Sequence, residues 1–244
     1  MRNKPLQLDG QVIEYEIQHR PRVTRRIHLE TNEAGNLRVI APRRMSRRAV
    51  HQILQQRAPH VARFIASARV KQAELPRHRY ASGENHLYLG TNYPLEVVVH
   101  SGKRGSVQIS AGTIQLVTPD AQPETVKKKL SRWYRQQAQQ HFDARLAAIS
   151  HCAPWTGDQA PPLRLRKMKR TWGSCSVKGL ITLNPHLVKA PAKCVDYVIA
   201  HEICHLRELN HGKAFYTLQQ QLFPDWRQIR EQLQARAHIY LFEE

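Results

Sequence analysis

The stretch that decides the fold of the C-terminal part runs from Val195 to His211 and reads VDYVIAHEICHLRELNH. Its apolar residues recur at helical spacing, and the pattern predicts one buried helix over about residues 192–209. His201 and His205 are four residues apart, so their imidazoles lie on the same helical face, one turn apart. Since zinc binds imidazole nitrogen readily, this pair is a candidate for two metal ligands.

Glu202 follows the first of these histidines directly. On a helix it is rotated by about 100° from His201, so its carboxylate can address a metal-bound water rather than the ion itself. This is the arrangement of a metal-dependent hydrolase in which a glutamate is the general base. The alternative is a pair of hydrogen-bonded histidines on a purely structural helix.

A catalytic zinc site needs a third protein ligand and one open position. His211 lies six residues after His205, near the expected end of the helix. We favour it because Gly212 permits a turn that would bring its side chain back to the ion. Glu208, three residues after His205 and on the same helical face, remains the alternative ligand.

Two further features are candidates for a substrate-binding role. Tyr197 and Tyr216 are possible oxyanion stabilisers, although tyrosines beside a helix are more often core aromatics. The segment 171–176 reads TWGSCS. It either lines the edge of a cleft or is a tight turn at Gly173 in which Trp172 fills the core.

Upstream of this region, apolar and polar residues alternate in several short segments, as they do in β-strands. The predicted strands are residues 12–17, 26–30, 37–41, 87–90, 93–99, 107–109 and 114–117. We expect them to form an antiparallel sheet with helices after Ser46 and after Pro59. A long helix with an apolar stripe begins at Pro123.

The change from strands to helix gives a predicted domain boundary. We expect a basic, β-rich domain over residues 1–122 and a mainly helical domain over residues 123–244, with the boundary alternatively in the Pro-rich segment 151–162. In the second domain, residues 163–168 and 180–183 are predicted to pair as a short β-hairpin. The sequence therefore predicts an α+β protein.

The charge is large and unevenly distributed. The 244 residues include 38 Lys and Arg against 19 Asp and Glu, and residues 1–80 alone carry 17 basic and 6 acidic residues. This excess favours an acidic substrate or partner, such as a polypeptide, a nucleotide or a nucleic acid. No signal-like or membrane-length apolar run occurs and the four cysteines form no CxxC pair, so we expect a cytoplasmic protein without a membrane partner.

The sequence resembles the YgjP-like metal-dependent hydrolases, relatives of the SprT-like zinc metallopeptidases. Three blocks carry the resemblance: GENHLYLG over residues 83–90, WGSCS over 172–176 followed by KGLITLN over 178–184, and HEICH over 201–205 followed by Asn210, His211, Phe215 and residues 223–226. The resemblance implies a zincin-like catalytic part in the C-terminal half. It also implies a metal, zinc or another divalent ion, bound by His201, His205 and His211, with Glu202 as the catalytic base.

Three functions are compatible with these features. The first is a zinc-dependent hydrolase, in particular a metallopeptidase. The second keeps the metal but acts on nucleoside triphosphates as a pyrophosphatase, because a basic cleft beside a divalent ion suits a phosphoanhydride. The third is a nucleic-acid-associated zinc protein, suggested by the basic first third of the chain.

Overall fold

The structure is a computed structural model, and it describes residues 5–8, 10–21, 26–32, 36–100, 105–157 and 159–242. The chain divides into two compact units, Met1–Leu75 and Pro76–Glu244. Both contain helices and small sheets, so the predicted α+β class is confirmed. Among the described residues, no helix has the length and apolar composition needed to cross a membrane.

The first unit contains a two-stranded sheet, a three-stranded sheet and two helices. Its elements are β1 (Leu6–Leu8), β2 (Gln11–Ile13), β3 (Tyr15–Arg20), β4 (His28–Thr31), β5 (Leu37–Pro42), α1 (Arg47–Gln56) and α2 (Ala58–Ala73). Ser46 caps α1 as predicted, because its hydroxyl accepts the backbone N–H of Ala49 at 3.2 Å. Val50 and Leu54 of α1 are buried in a core that includes Val39 of β5.

The second unit begins with a four-stranded sheet, on which a long helix packs. The elements are β6 (Asn85–Tyr88), β7 (Thr91–Val99), β8 (Val107–Ser110), β9 (Thr113–Thr118) and α3 (Pro123–His151). Val126 and Leu130 of α3 lie in one core with Ile114 and Leu116 of β9. The strands before residue 122 and the helix after it therefore share one core, and the position of the expected domain boundary lies inside the second unit.

The strand pairing differs from the single antiparallel sheet that we expected. The order is β3-β5-β4 in one sheet and β6-β7-β9-β8 in the other, so β3 pairs with β5 and β7 pairs with β9 in parallel. In both cases a later strand inserts between two earlier ones. The inserted strand is the most buried of the three, as in β5 and β9, and a central position covers more of its apolar surface.

The predicted hairpin is also rearranged by an intervening strand. Strand β10 (Leu163–Leu165) pairs in parallel with β12 (Ile181–Leu183), and the antiparallel partner of β12 is β11 (Gly173–Cys175). All three residues of β12 are buried, so it takes the centre of the sheet. Gly179 has φ of 77° in the turn between β11 and β12, a conformation that favours glycine.

In the described part of the second unit, four α-helices follow these strands. They are α4 (Ala192–Cys204), α5 (Lys213–Leu222), α6 (Trp226–Ala235) and α7 (Ala237–Tyr240). Val195, Ile199 and Ile203 of α4 are buried in the same core as Phe142 of α3. Helix α4 is thus enclosed by the core along most of its length, and its C-terminal end presents the histidines that the sequence predicted.

Candidate metal centre

Helix α4 ends earlier than the sequence pattern suggested. It runs to Cys204, and His205 is its C-terminal cap with a helical φ of −68° and ψ of −15°. The predicted helix extended to Leu209, which lies beyond the end of α4 and is 55% exposed. The four-residue spacing of the two histidines is preserved, and the chain beyond Cys204 turns back instead of moving away.

This turn brings His211 to the histidine pair. One potential ligand atom from each of His201, His205 and His211 lies within 4.8 Å of the others, and we call this group the three-histidine centre. The Nε2 atoms of His201 and His211 are 3.0 Å apart. Two nitrogens bound to one tetrahedral zinc ion lie about 3.3 Å apart, so this separation fits a shared ion.

The other ring nitrogens are held by hydrogen bonds. Nδ1 of His201 is 3.2 Å from Oε1 of Gln219, and Nδ1 of His205 is 2.9 Å from the backbone oxygen of Glu208. Because both partners are acceptors, each Nδ1 carries the proton and each Nε2 keeps its lone pair. This is the tautomer that a metal-binding histidine requires.

An aromatic ring supports all three imidazoles from one side. Phe215 of α5 is fully buried, and its ring centroid lies 4.9 Å from His201, 4.6 Å from His205 and 4.7 Å from His211. The planes of His201 and His205 meet at 87°. An apolar support under crossed rings fixes their orientation and keeps water from one side of the centre.

The glutamate beside the first histidine is buried. Glu202 is only 4% exposed, and its Oε2 has no hydrogen-bond partner among the described residues. Burial raises the pKa of Glu202 to about 8. A carboxyl group in this state is well suited to hold a transferred proton near neutral pH.

Two of the three rings have a lowered pKa, which favours the neutral form that metal binding requires. Burial, and then the charges of His205 and His211, lower the pKa of His201 to about 4. Burial and the charge of His205 also lower the pKa of His211. Arg230 of α6 acts in the same direction on both.

Strand β11 contacts the glutamate. A Cβ atom placed on Gly173 would lie 2.5 Å from Oε1 and 2.8 Å from Cγ of Glu202. Glycine is therefore required here to let the strand approach the carboxylate. Trp172 packs against the core, as the second interpretation predicted, but Gly173 begins β11 and does not form a tight turn.

The remaining candidates occupy other positions. The carboxylate of Glu208 is not in the group of ligand atoms around His201, although its backbone oxygen orients His205. Gly212 has an ordinary φ of −85°, so our expectation that glycine makes the turn possible was wrong. It is the N-cap of α5, a position at which glycine is common.

The two tyrosines pack as aromatic residues near the centre. The ring of Tyr197 is 6.0 Å from His201, and the ring of Tyr216 is 6.3 Å from His211 and stacks on Trp226 at 5.2 Å. Burial raises the pKa of Tyr197. These distances place both side chains beside the histidines.

The sequence did not predict what three neighbours of the centre do. Gln219 orients His201, Phe215 supports the three imidazoles, and Gly173 lets β11 approach Glu202. Gln219 and Phe215 are four residues apart on α5, and both are buried on the face that meets α4. A glutamine at an apolar position of an amphipathic helix is the signal that could have identified Gln219. The approach of Gly173 to Glu202 depends on the strand order, which no local pattern gives.

Comparison with known proteins relates the chain to metallopeptidases. The family described as "YgjP-like, metallopeptidase domain" matches residues 25–236. No curated protein matches the chain.

Two solved structures are similar over part of the chain. The metallopeptidase zymogen abylysin of Pyrococcus abyssi is 25% identical, with a TM-score of 0.33, over 37% of this chain and 92% of its own. The zymogen jannalysin of Methanocaldococcus jannaschii is 19% identical, with a TM-score of 0.33, over 41% and 96%. The family match, by contrast, spans most of the chain, and the protein therefore belongs to the YgjP-like family of metallopeptidase domains.

Proposed function

We propose that the protein is a zincin-type, zinc-dependent peptidase in which His201, His205 and His211 hold the ion and Glu202 is the general base. The convergence of the three imidazoles carries this proposal, with the Nε2 atoms of His201 and His211 3.0 Å apart. Three histidine ligands leave a fourth zinc position for water or substrate. Among divalent ions, zinc fits an all-imidazole set well, and other first-row ions are alternatives.

The chain's own contribution is to place a base beside the ion. Bound zinc would acidify water and polarise a carbonyl group. Glu202 takes the proton of the attacking water on its carboxylate and then donates it to the leaving amine. Its burial and the close approach of Gly173 hold the carboxylate in one place during both transfers.

An unpaired strand edge favours a polypeptide over a nucleotide as the substrate. Among the described strands, β11 pairs only with β12, so its other edge has no strand partner. Glu202 lies against the same strand, where a Cβ atom on Gly173 would point. An extended peptide can add to such an edge through main-chain hydrogen bonds, whereas a nucleotide cannot use them in the same way.

We also propose that the substrate or its carrier is acidic. Residues 43–73, which cover α1 and α2, contain eight Lys and Arg residues and no Asp or Glu. All eight are exposed. A surface of this charge attracts an acidic polypeptide or a nucleic acid and accelerates its association at low ionic strength.

The test is the variant Glu202→Gln, with Glu208→Gln as the matched control. We expect Glu202→Gln to bind zinc like the wild type and to hydrolyse an unfolded protein about 10²- to 10⁴-fold more slowly. Glu208→Gln should retain most activity. Assays with nucleoside triphosphates run in parallel, and release of phosphate products without peptide cleavage would favour the pyrophosphatase. Unchanged hydrolysis by Glu202→Gln would contradict the proposal.

A further inference from the structure

A second group of potential ligands lies at the start of the second unit. It consists of His78, Glu84 and His86, and we call it the second cluster; one ligand atom from each lies within 4.8 Å of the others. Oε2 of Glu84 is 3.6 Å from Nδ1 of His78 and 4.0 Å from Nε2 of His86. None of these residues is part of the three-histidine centre.

The carboxylate of the second cluster is fixed by the backbone. Its Oε1 accepts the N–H of Arg79 at 2.6 Å, and its Oε2 accepts the N–H of Tyr80 at 2.8 Å. Tyr80 has φ of 58°, which is unfavourable for a residue with a side chain. The turn before β6 is thus held in a strained form that keeps Glu84 next to both histidines.

The histidine on β6 has an unsatisfied nitrogen. His86 is 4% exposed, and its Nε2 has no hydrogen-bond partner among the described residues. This atom is the one directed at the carboxylate of Glu84. Burial, and then the charges of His78 and Lys189, lower the pKa of His86 to about 3, so the ring is neutral. A buried, neutral imidazole with an unused nitrogen is costly unless it binds something.

We propose that His78, Glu84 and His86 form a second site, which binds a divalent transition-metal ion of the zinc type. Two imidazoles and one carboxylate are a ligand set that zinc accepts, with a remaining position for water. The strained turn and the buried nitrogen are then explained together, because both direct ligand atoms to one point. The ion would fasten the segment before β6 to the strand.

Binding requires one ring to move. The rings of His78 and His86 now stack at 4.2 Å with an angle of 13° between their planes. Lone pairs in two parallel planes do not meet, so the imidazole of His78, the more exposed of the two, must turn towards Glu84. This movement and the nearby positive charge of Lys189 make the second site weaker than the three-histidine centre.

Equilibrium dialysis of the full-length protein against zinc, with metal analysis, tests the proposal. We expect two ions in the wild type, one in His78→Gln, one in His205→Ala and none in the double variant. His60→Gln, at an exposed histidine of α2, is the matched control and should bind two. Circular dichroism verifies that each variant is folded.

A thermal melt gives an independent readout. Zinc should raise the melting temperature of His205→Ala and should not raise that of the double variant. The proposal is overturned if His78→Gln binds as many ions as the wild type. It is also overturned if zinc raises the melting temperatures of His205→Ala and of the double variant equally. If His205→Ala instead loses no zinc while His78→Gln does, the second site stands and the three-histidine centre is wrong.

Discussion

The three-histidine centre and the second cluster show two ways of bringing proposed metal ligands together. In the first, His205 meets His201 and His211 with ring planes at 87° and 89°. In the second, the two imidazoles lie almost parallel at 13°. The first set comes from the end of a helix and the loop after it, and the second from an irregular turn and a strand.

The difference concerns what is already oriented before an ion binds. In the three-histidine centre, two rings are fixed by acceptors at Nδ1 and all three rest on Phe215. In the second cluster the backbone holds the carboxylate, and a ring must still turn. Orientation in advance lowers the cost of binding, so the two sites should differ in affinity. Only the first has beside it a residue that we propose as a base, Glu202.

Among the variants that distinguish the two sites, Gly173→Ala is expected to have the largest effect, which is on the rate of hydrolysis. The added Cβ would lie 2.5 Å from Oε1 of Glu202, so the carboxylate must move. A displacement of about 1 Å costs on the order of 10²-fold in rate. Both zinc ions should remain bound, because no ligand is touched.

The control for this variant is Ser174→Ala, which changes an exposed neighbour on the same strand. It should hydrolyse an unfolded protein at the wild-type rate. If Gly173→Ala is equally active, Glu202 does not depend on β11 and the role given to this strand is wrong.

A smaller effect is expected from Gln219→Leu. The substitution removes the acceptor of Nδ1 of His201 and keeps the volume of a fully buried side chain. Loss of such an orienting partner typically lowers metal affinity about 10- to 100-fold. Competition with a coloured zinc chelator measures the change, and only the tighter of the two sites should weaken.

The matched control is Gln221→Leu, on the exposed face of the same helix. It should leave both affinities unchanged. If Gln219→Leu lowered the zinc affinity of both sites equally, the variant would disturb the unit as a whole. The three-histidine centre would then not depend on Gln219 more than the second cluster does.

Local patterns predicted much of the three-histidine centre. The four-residue spacing of His201 and His205 and the buried helix around them follow from helical periodicity. The sequence favours His211 over Glu208 as the third ligand, and His211 does lie beside the pair. The reason is not the conformation of Gly212, because its φ is ordinary. The turn follows from the end of α4 at Cys204. Leu209, which the predicted helix included, lies beyond this end and is exposed.

The strand order and the second cluster depend on how helices and strands pack, which local patterns do not give. The strands themselves were recognised, but alternation does not say which strand is central, so the parallel pairs were missed. His78, Glu84 and His86 have no regular spacing, and their proximity arises from one strained turn at Tyr80. No sequence rule brings such residues together.

We propose above all that three histidines hold the ion beside Glu202. X-ray absorption of zinc bound to the His78→Gln variant, in which the second site is removed, tests it most directly. We predict a shell with three imidazole nitrogens at about 2.0–2.1 Å and no sulfur at about 2.3 Å. A shell with fewer than three imidazoles, or with sulfur from the neighbouring Cys175 or Cys204, would contradict it.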